Sequence, residues 1–274
     1  MNKSILITGC SSGIGLDAAM HLRNAGWRVF ATCRKQIDCD RLVENGFESF
    51  VLDYRDENTI IAAVNRISAL TGHKLDALFN NGAYALPGAV EDLPRDALRD
   101  IFEVNFFGHV DLINRSLPLL RNSPDGRVVN CSSVLGFAAL PYRGAYNATK
   151  FSMEAITDTL RREDTSKSVK FILIEPGPIN TRIRENAIPH FEKWIKWQSS
   201  HIRESYKSNF IGRLYGHKKS VIDYFELETH FVTRKLMLAL NSQNPKKRYF
   251  VTYPTYLANI ITRFLPTSLQ DALL

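Results

Sequence analysis

Cysteine is scarce in this chain: four among 274 residues, Cys10, Cys33, Cys39 and Cys131, with no Cys-x-x-Cys pair. That spacing argues against a disulfide framework or a cysteine-built metal site, and buried free thiols in a reducing compartment are the expectation. Long hydrophobic runs are also missing. Nothing approaches the roughly 20 apolar residues that span a bilayer. The short run Ile5-Leu6-Ile7 after Lys3 is too brief for a signal peptide and ends in a glycine turn. The chain lacks low-complexity tracts, internal repeats and linkers, so one domain over residues 1–274 and a cytoplasmic location are expected. His190, His201 and His217 show no metal-ligand spacing, and no metal is expected. Positive charge is in excess, with a formal net charge of +7. Its lack of long like-charged blocks argues against a nucleic-acid partner, while an anionic small ligand would use only part of the charge.

What is present is a regular alternation. Strand-length apolar runs lie at Ser4–Thr8, Arg28–Thr32, Ser49–Leu52, Ala77–Asn80, Arg127–Cys131, Lys170–Ile174 and Tyr249–Thr252. Helical patterns separate them at Ile14–Ala25, Asn58–Thr71, Ala97–Leu120, Ala145–Arg162 and Glu228–Leu240, with Gly26 and Gly72 placed to end two of these. Strands joined through helices pair in parallel, and continuous apolar strands are covered on both faces. The pattern predicts an α/β fold: a single-domain, Rossmann-type, doubly wound parallel sheet that binds ligand beyond the carboxyl ends of its strands.

After Pro176 the rhythm breaks. Residues from about 182 to 223 mix Trp194, Trp197, Tyr206, Phe210 and Tyr215 with many Lys and Arg. We read this insertion after the sixth strand as a substrate lid suited to a hydrophobic aldehyde or ketone; the alternative is a solvated irregular insertion. The tail, Tyr253–Leu274, is apolar around Arg263. Packing on its own subunit or on a second copy is preferred over contact with a membrane surface.

Gly9, Gly13 and Gly15, with Ser11, Ser12 and Ile14 between them, form a glycine-rich strand-to-helix turn. Such a turn lets backbone N–H groups and a helix N-terminus meet a pyrophosphate, which predicts a dinucleotide site. An NAD site usually carries Asp or Glu at the end of the second strand. Here that place reads Thr32-Cys33-Arg34-Lys35, with no acid before Asp38. Arg34 can grip a 2′-phosphate with its planar fork, so NADP(H) is the expected cofactor.

Tyr146 and Lys150 stand four apart on a predicted helix and share a face. A free phenol titrates near ~10, and bringing it to about 7 takes about 4 kcal/mol of differential stabilisation. A neighbouring ammonium and a cationic nicotinamide can supply this in a shielded cleft. Tyr146 is then the general acid in carbonyl reduction or the base in alcohol oxidation, and Ser133, just past the fifth strand, holds the same oxygen.

In this order the motifs resemble the short-chain dehydrogenase/reductase family, in its TGxxxGxG subgroup, from the N-terminus to about Thr181. The extended relatives acting as epimerases and dehydratases have another glycine spacing. The resemblance implies that Asp53 contacts adenine and that Asn80 and Gly82, in Asn80-Asn81-Gly82-Ala83, lie beside the adenosine ribose. The family's usual Asn-Asn-Ala-Gly is exchanged in its last two residues here. It also implies that Asn105 completes a proton relay with Ser133, Tyr146 and Lys150, that Lys150 binds ribose as well as lowering the tyrosine, and that Pro176, Gly177, Ile179 and Thr181 receive the nicotinamide. Homodimers or homotetramers pairing through Ala97–Leu120 and Ala145–Arg162 are implied likewise. Bacterial NADP-dependent aldehyde reductases and animal 17β-hydroxysteroid and retinol dehydrogenases look most similar. The function implied is NADPH-dependent carbonyl reduction or the reverse alcohol oxidation. A steroid or retinoid oxidoreductase and a non-catalytic NADP-binding regulator stand as alternatives.

Overall fold

The computed structural model describes residues 2–165, 168–216 and 224–273. Seven strands, β1 (Ser4–Ile7), β2 (Arg28–Cys33), β3 (Glu48–Val51), β4 (Ala77–Asn80), β5 (Gly126–Cys131), β6 (Val169–Glu175) and β7 (Arg248–Phe250), form one sheet in the order β3-β2-β1-β4-β5-β6-β7. Every neighbouring pair is parallel. The chain reverses its direction of winding between β1 and β4, and the crevice beyond their carboxyl ends is where such sheets bind ligands. All seven strands lie within two residues of the sequence expectation; β7 begins and ends earlier than Tyr249–Thr252.

Neighbouring strand residues face opposite ways, and both faces are dry. Ile5 and Ile7 belong to a core shared with Ala18, Leu22, Val232 and Leu236. Leu6, between them, joins Phe30, Leu78, Val128, Ile67 and Leu112 on the other side. The first layer is carried by α1 (Gly13–Asn24), α2 (Gln36–Glu44) and α10 (His230–Asn241). The second is carried by α3 (Glu57–Thr71), α4 (Arg95–Phe102), α5 (Gly108–Arg121) and α6 (Gly144–Glu163). The side chain of Asp56 caps α3 by accepting from the Asn58 N–H at 3.0 Å, and Gly72 ends it at φ 63.

Three differences from the sequence reading matter. Helix α2, absent from that reading, is short and carries only Cys39 and Leu42 as buried residues. The expected single helix Ala97–Leu120 is broken by a π-helical turn, Glu103–Phe107, between α4 and α5. The insertion after β6 is helical rather than irregular: α7 (Ile183–Trp194), then α8 (Arg203–Ser205), a π turn at Tyr206–Ile211, and α9 (Gly212–Leu214). Its own small core of Phe191, Ile195, Tyr206, Phe210 and Leu214, closed on Ala89, is what organises it. Residues 217–223 of the insertion, His217 included, lie outside the described residues. The tail forms α11 (Tyr253–Phe264) and α12 (Thr267–Leu273).

Candidate active site

The turn after β1 explains its glycines. Gly9 (φ 70) and Gly13 (φ 60) adopt the left-handed conformation that disfavours side chains. A Cβ on Gly9 would sit 2.7 Å from Gly82 Cα, and one on Gly15 would sit 2.3 Å from the Gly9 carbonyl oxygen. The turn therefore folds flat against the end of β4. Thr8 fastens it there: its Oγ1 accepts from the N–H groups of Asn81 (2.9 Å) and Gly82 (3.1 Å), while Asn81 Nδ2 donates to the Thr8 carbonyl at 3.0 Å. Ser12 stands at the N-cap of α1 without using its side chain as a cap. A cradle that any Cβ would fill, opening on a helix N-terminus, fits a pyrophosphate.

Around this cradle the residues separate into two groups. Arg34 is exposed at the end of β2. Arg41, missed in the sequence because α2 was unread, reaches back to donate to the Ser11 carbonyl at 2.8 Å and pairs with Asp38. Asp53 is half-buried after β3, with one carboxylate oxygen accepting from the Arg55 N–H at 3.1 Å. Asn80, by contrast, points inward. Its Oδ1 lies 2.6 Å from the Tyr54 hydroxyl and its Nδ2 donates to the His109 carbonyl at 3.2 Å, so its side chain ties β4 to α5. Gly82 offers its carbonyl to His109 Nε2 at 2.6 Å, which fixes the proton on that nitrogen.

Ser133, Tyr146 and Lys150 converge at the carboxyl end of β5. Strand β5 ends at Cys131, and the Ser132 N–H donates to the Ile174 carbonyl at 2.8 Å, which sets Ser133 beside Pro176. The Ser133 hydroxyl accepts from the Leu135 N–H at 3.1 Å and donates to the Pro176 carbonyl at 3.4 Å, and it favours the ionised form of the Tyr146 phenol. Lys150 is 1% exposed and its Nζ donates to the Cys131 carbonyl at 2.7 Å. That ammonium lies 5.6 Å from the centre of the Tyr146 ring. Burial pushes Lys150 down, with Cys131 and then Glu154 opposing. The Tyr146 phenol stands above its ordinary range rather than below it, because burial outweighs the Ser133 hydrogen bond. The expected lowering by Lys150 is thus not met by the protein's own groups: the ammonium is committed to a carbonyl and itself resists charge.

Asn105 lies within the π turn and is fully buried. Its amide treats the Tyr84 backbone as a strand would, accepting from the N–H at 3.1 Å and donating to the carbonyl at 2.8 Å. Its Nδ2 also lies 3.3 Å from Thr149 Oγ1, next to Lys150. The extra residue of the π turn is what aims it there.

The loop after β6 is pinned from two sides. The Pro176 carbonyl accepts from the Val134 N–H at 2.8 Å, and Gly177 leaves no room for a Cβ against Thr252. Ile179 bridges Leu227, and Thr181 closes on the glycine turn, its Cγ2 3.4 Å from where a Gly13 Cβ would be. Helix α7 then carries His190 onto Tyr84, with ring centres 4.0 Å apart. Arg55 holds Asp100 through two bonds, 3.2 and 3.0 Å, and the Tyr84 hydroxyl donates to the same carboxylate. Burial opposes the charge of Asp100, but these donors keep it ionised below its ordinary range. His190 is pushed down by burial and by the cations Arg55, Arg34 and Lys193. His201 is exposed, and among the described residues no cluster of His, Cys, Asp and Glu is placed to hold a metal. A separate cavity of about 490 Å³, lined by Leu117, Arg121, Leu160 and Phe171, opens at the amino ends of the strands, away from Tyr146.

Comparison with known proteins adds a family. The model of the short chain dehydrogenase family matches residues 3–191, which carries the likeness past Thr181 into α7. An uncharacterized oxidoreductase, YbbO, of Escherichia coli strain K12 is 36% identical over 274 residues, covering all of this chain and 94% of that one. Retinol dehydrogenase 7 of Mus musculus is 32% identical, covering all of this chain and 88% of its own length. Among solved structures, a short-chain dehydrogenase from Streptomyces avermitilis superposes with a TM-score of 0.75 at 24% identity, covering 99% of this chain and 93% of that one.

Proposed function

Since this chain belongs to the short-chain dehydrogenase family and is an oxidoreductase of that type, we propose that it is an NADPH-dependent reductase of hydrophobic aldehydes or ketones, acting in reverse on the alcohols. One observation carries the reading: Ser133, Tyr146 and Lys150 meet at the end of β5, across the crevice from the glycine cradle. When bound, the nicotinamide supplies or accepts the hydride. Gly9, Ser11, Ser12, Gly13, Ile14 and Gly15 would hold the pyrophosphate. Arg34, with Arg41 behind the turn, would hold the 2′-phosphate, and Asp53 and Gly82 would flank the adenosine. Asn80 would act indirectly, by fixing the end of β4. Pro176, Gly177, Ile179 and Thr181 would border the nicotinamide.

In this reading Ser133 orients the substrate oxygen and Tyr146 gives it a proton. Burial keeps the phenol protonated, as a general acid must be, and the cationic nicotinamide, when bound, would offset part of that burial. Lys150 would return the proton, and Asn105, fixed by the Tyr84 backbone and Thr149, would support the water that links Lys150 to solvent. The helical insertion serves as the substrate lid, and its apolar core of Phe191, Tyr206 and Phe210 supports a hydrophobic substrate. A retinol or hydroxysteroid oxidoreductase is the second reading, favoured by the retinol dehydrogenase relative. We further place the protein in the cytoplasm, where its four unpaired thiols suit a reducing medium. No helix of the described residues is long and apolar enough to cross a membrane.

The test is NADPH oxidation across aliphatic and aromatic aldehydes, ketosteroids and retinal. Tyr146→Phe should lower kcat by about 10²–10⁴-fold while leaving NADPH affinity nearly intact. Arg34→Ala should erase the preference for NADPH over NADH. Tight NADPH binding without turnover of any carbonyl would favour a non-catalytic regulator instead.

A further inference from the structure

Three carboxylates converge on one guanidinium at the carboxyl end of β6. Arg248, on β7, directs Nη1 to Glu154 Oε2 and to Glu175 Oε1 (2.7 Å), and Nη2 to Asp158 Oδ2 (2.7 Å). Asp158 has a cation of its own, Arg161, at 2.7 Å. Among the described residues, Arg248 is the one cation bonded to Glu154 and Glu175. Glu175 is 0% exposed, and Glu154 Oε1 and Glu175 Oε2 are both buried; the Ser132 hydroxyl lies beside Glu154, while Glu175 Oε2 has no donor among the described residues. Gly136 is the reason the group packs so tightly: a Cβ there would meet Ser132 Oγ at 2.5 Å and Glu154 Oε1 at 3.1 Å. Two buried carboxylates on one cation, with only a serine hydroxyl beside them, cannot both stay ionised at low cost; one proton placed between them satisfies both.

Their position gives this arrangement a consequence. Glu154 follows Lys150 by one helical turn on α6 and acts on its charge. Glu175 directly precedes Pro176, so the same cluster ties the 176–181 loop to α6. We propose that Glu154 and Glu175 share a single proton under Arg248, and that this pair is a positioning device that sets the charge of Lys150 and holds the 176–181 loop against α6. The second half rests on the role given to Lys150 above; the first half does not. Around the pair stand Arg248 on β7 and Lys150 and Asp158 on α6, with Arg161 in turn on Asp158 and the Cys131 thiol, at the end of β5, on Lys150. The shared proton leaves on the alkaline side, since burial and the Glu154 charge push Glu175 up to about 9. Its loss adds one negative charge beside Lys150, favours the ammonium and disfavours a phenolate at Tyr146.

Infrared difference spectra of the full-length protein, titrated from about pH 7 to about pH 10, test the pair without any substrate. A neutral-carboxyl stretch should be present at neutral pH, fade toward pH 9, and be missing from Glu154→Gln and Glu175→Gln at neutral pH, because the remaining glutamate then shares Arg248 only with Asp158, which also has Arg161. Glu154→Asp should keep it, which guards against misfolded glutamine variants. A wild-type protein without that band, or a band that survives in both glutamine variants, overturns the shared proton. The coupling to Lys150 is read from the pH profile of kcat on any carbonyl that is turned over: Glu175→Gln should move the alkaline limb by about one unit and, by freeing the 176–181 loop, weaken NADPH binding, so that unchanged affinity overturns the hold on the loop. A profile superimposable on wild type overturns the coupling. Infrared bands as expected with no turnover of any carbonyl would sink the reductase reading and leave the pair standing.

Discussion

His109 is the side chain whose ionisation folding alters most usefully. It is fully buried on α5, stacked on Tyr54 with ring centres 4.2 Å apart, and gives its Nε2–H to Gly82 beneath the glycine cradle. Burial first, and the Lys150 charge second, push it down to about 3. An unfolded histidine titrates near ~6.5. Between these values the unfolded chain binds a proton that the native chain refuses, so stability is fully present above pH ~6.5 and is lost as pH falls, by about 1.4 kcal/mol per unit. Urea unfolding at about pH 7 and about pH 5 should therefore cost the wild type about 2 kcal/mol more than His109→Gln, which keeps a donor for Gly82 but does not titrate. Equal losses would mean that His109 is charged in the native state. This histidine carried no signal in the sequence, because a buried imidazole is indistinguishable from an exposed one until its neighbours are known. Tyr146 and Lys150 differ: a shared helical face is written in their spacing, and their place at the end of β5 follows from the strand pattern.

At the scale of elements, the legible parts are those that repeat. Seven strands and the long amphipathic helices could be read because both faces of the sheet are covered and the apolar period is continuous. Helix α2 escaped because only two of its residues are buried, and the π turn at Glu103–Phe107 because a single extra residue shifts the period without erasing it. The insertion escaped because its order comes from one local aromatic cluster. Tyr142 connects that cluster to α6. It sits at φ 61, its hydroxyl is 2.6 Å from Ser205 Oγ, and its ring stacks on Phe210 at 4.8 Å, four residues before Tyr146. A bulky residue in the left-handed region costs about 1–2 kcal/mol, which the stacking and the Gly88 N–H bond to its carbonyl must offset. Tyr142→Ala should loosen the insertion: amide exchange across 203–214 should quicken by at least about tenfold, a loss of about 1.4 kcal/mol, while exchange in β4 and β5 stays as it was. Unchanged protection of 203–214 would show that the insertion holds itself without this anchor. The cradle is stricter. Gly9→Ala meets both a left-handed backbone and Gly82 Cα at 2.7 Å, so NADPH affinity should fall by at least about tenfold in a fluorescence titration. Retained affinity would remove the cradle from the cofactor site.

At the scale of the whole molecule, two apolar surfaces among the described residues stand uncovered, and they make different demands. Phe107, between α4 and α5, is 53% exposed and Phe151, on α6, is 42% exposed. These are the helices through which we propose that two copies pair. A stable interface buries about 1,600 Å² in total, and an aromatic side chain supplies about 150–250 Å². Four such rings across a two-fold axis would give roughly 600–1,000 Å², about half of what is needed, leaving the flanking helix surfaces to provide the remainder. The second surface, Tyr253, Leu257, Ile260 and Phe264 along α11, lies on the β7 side of the sheet. One site used alone gives a dimer, and both used together give a tetramer by two perpendicular axes. Light scattering should accordingly find at least twice the 31.1 kDa of one chain. The double change Phe107→Asp, Phe151→Asp should halve the particle by placing four carboxylates in a desolvated interface, whereas Leu257→Asp should reduce a tetramer to a dimer and leave a dimer intact. A wild-type protein of single-chain mass would remove the pairing altogether. Halving by Leu257→Asp alone, with the phenylalanine variant unaffected, would move the pairing to α11 and leave α4, α5 and α6 as solvent-facing helices.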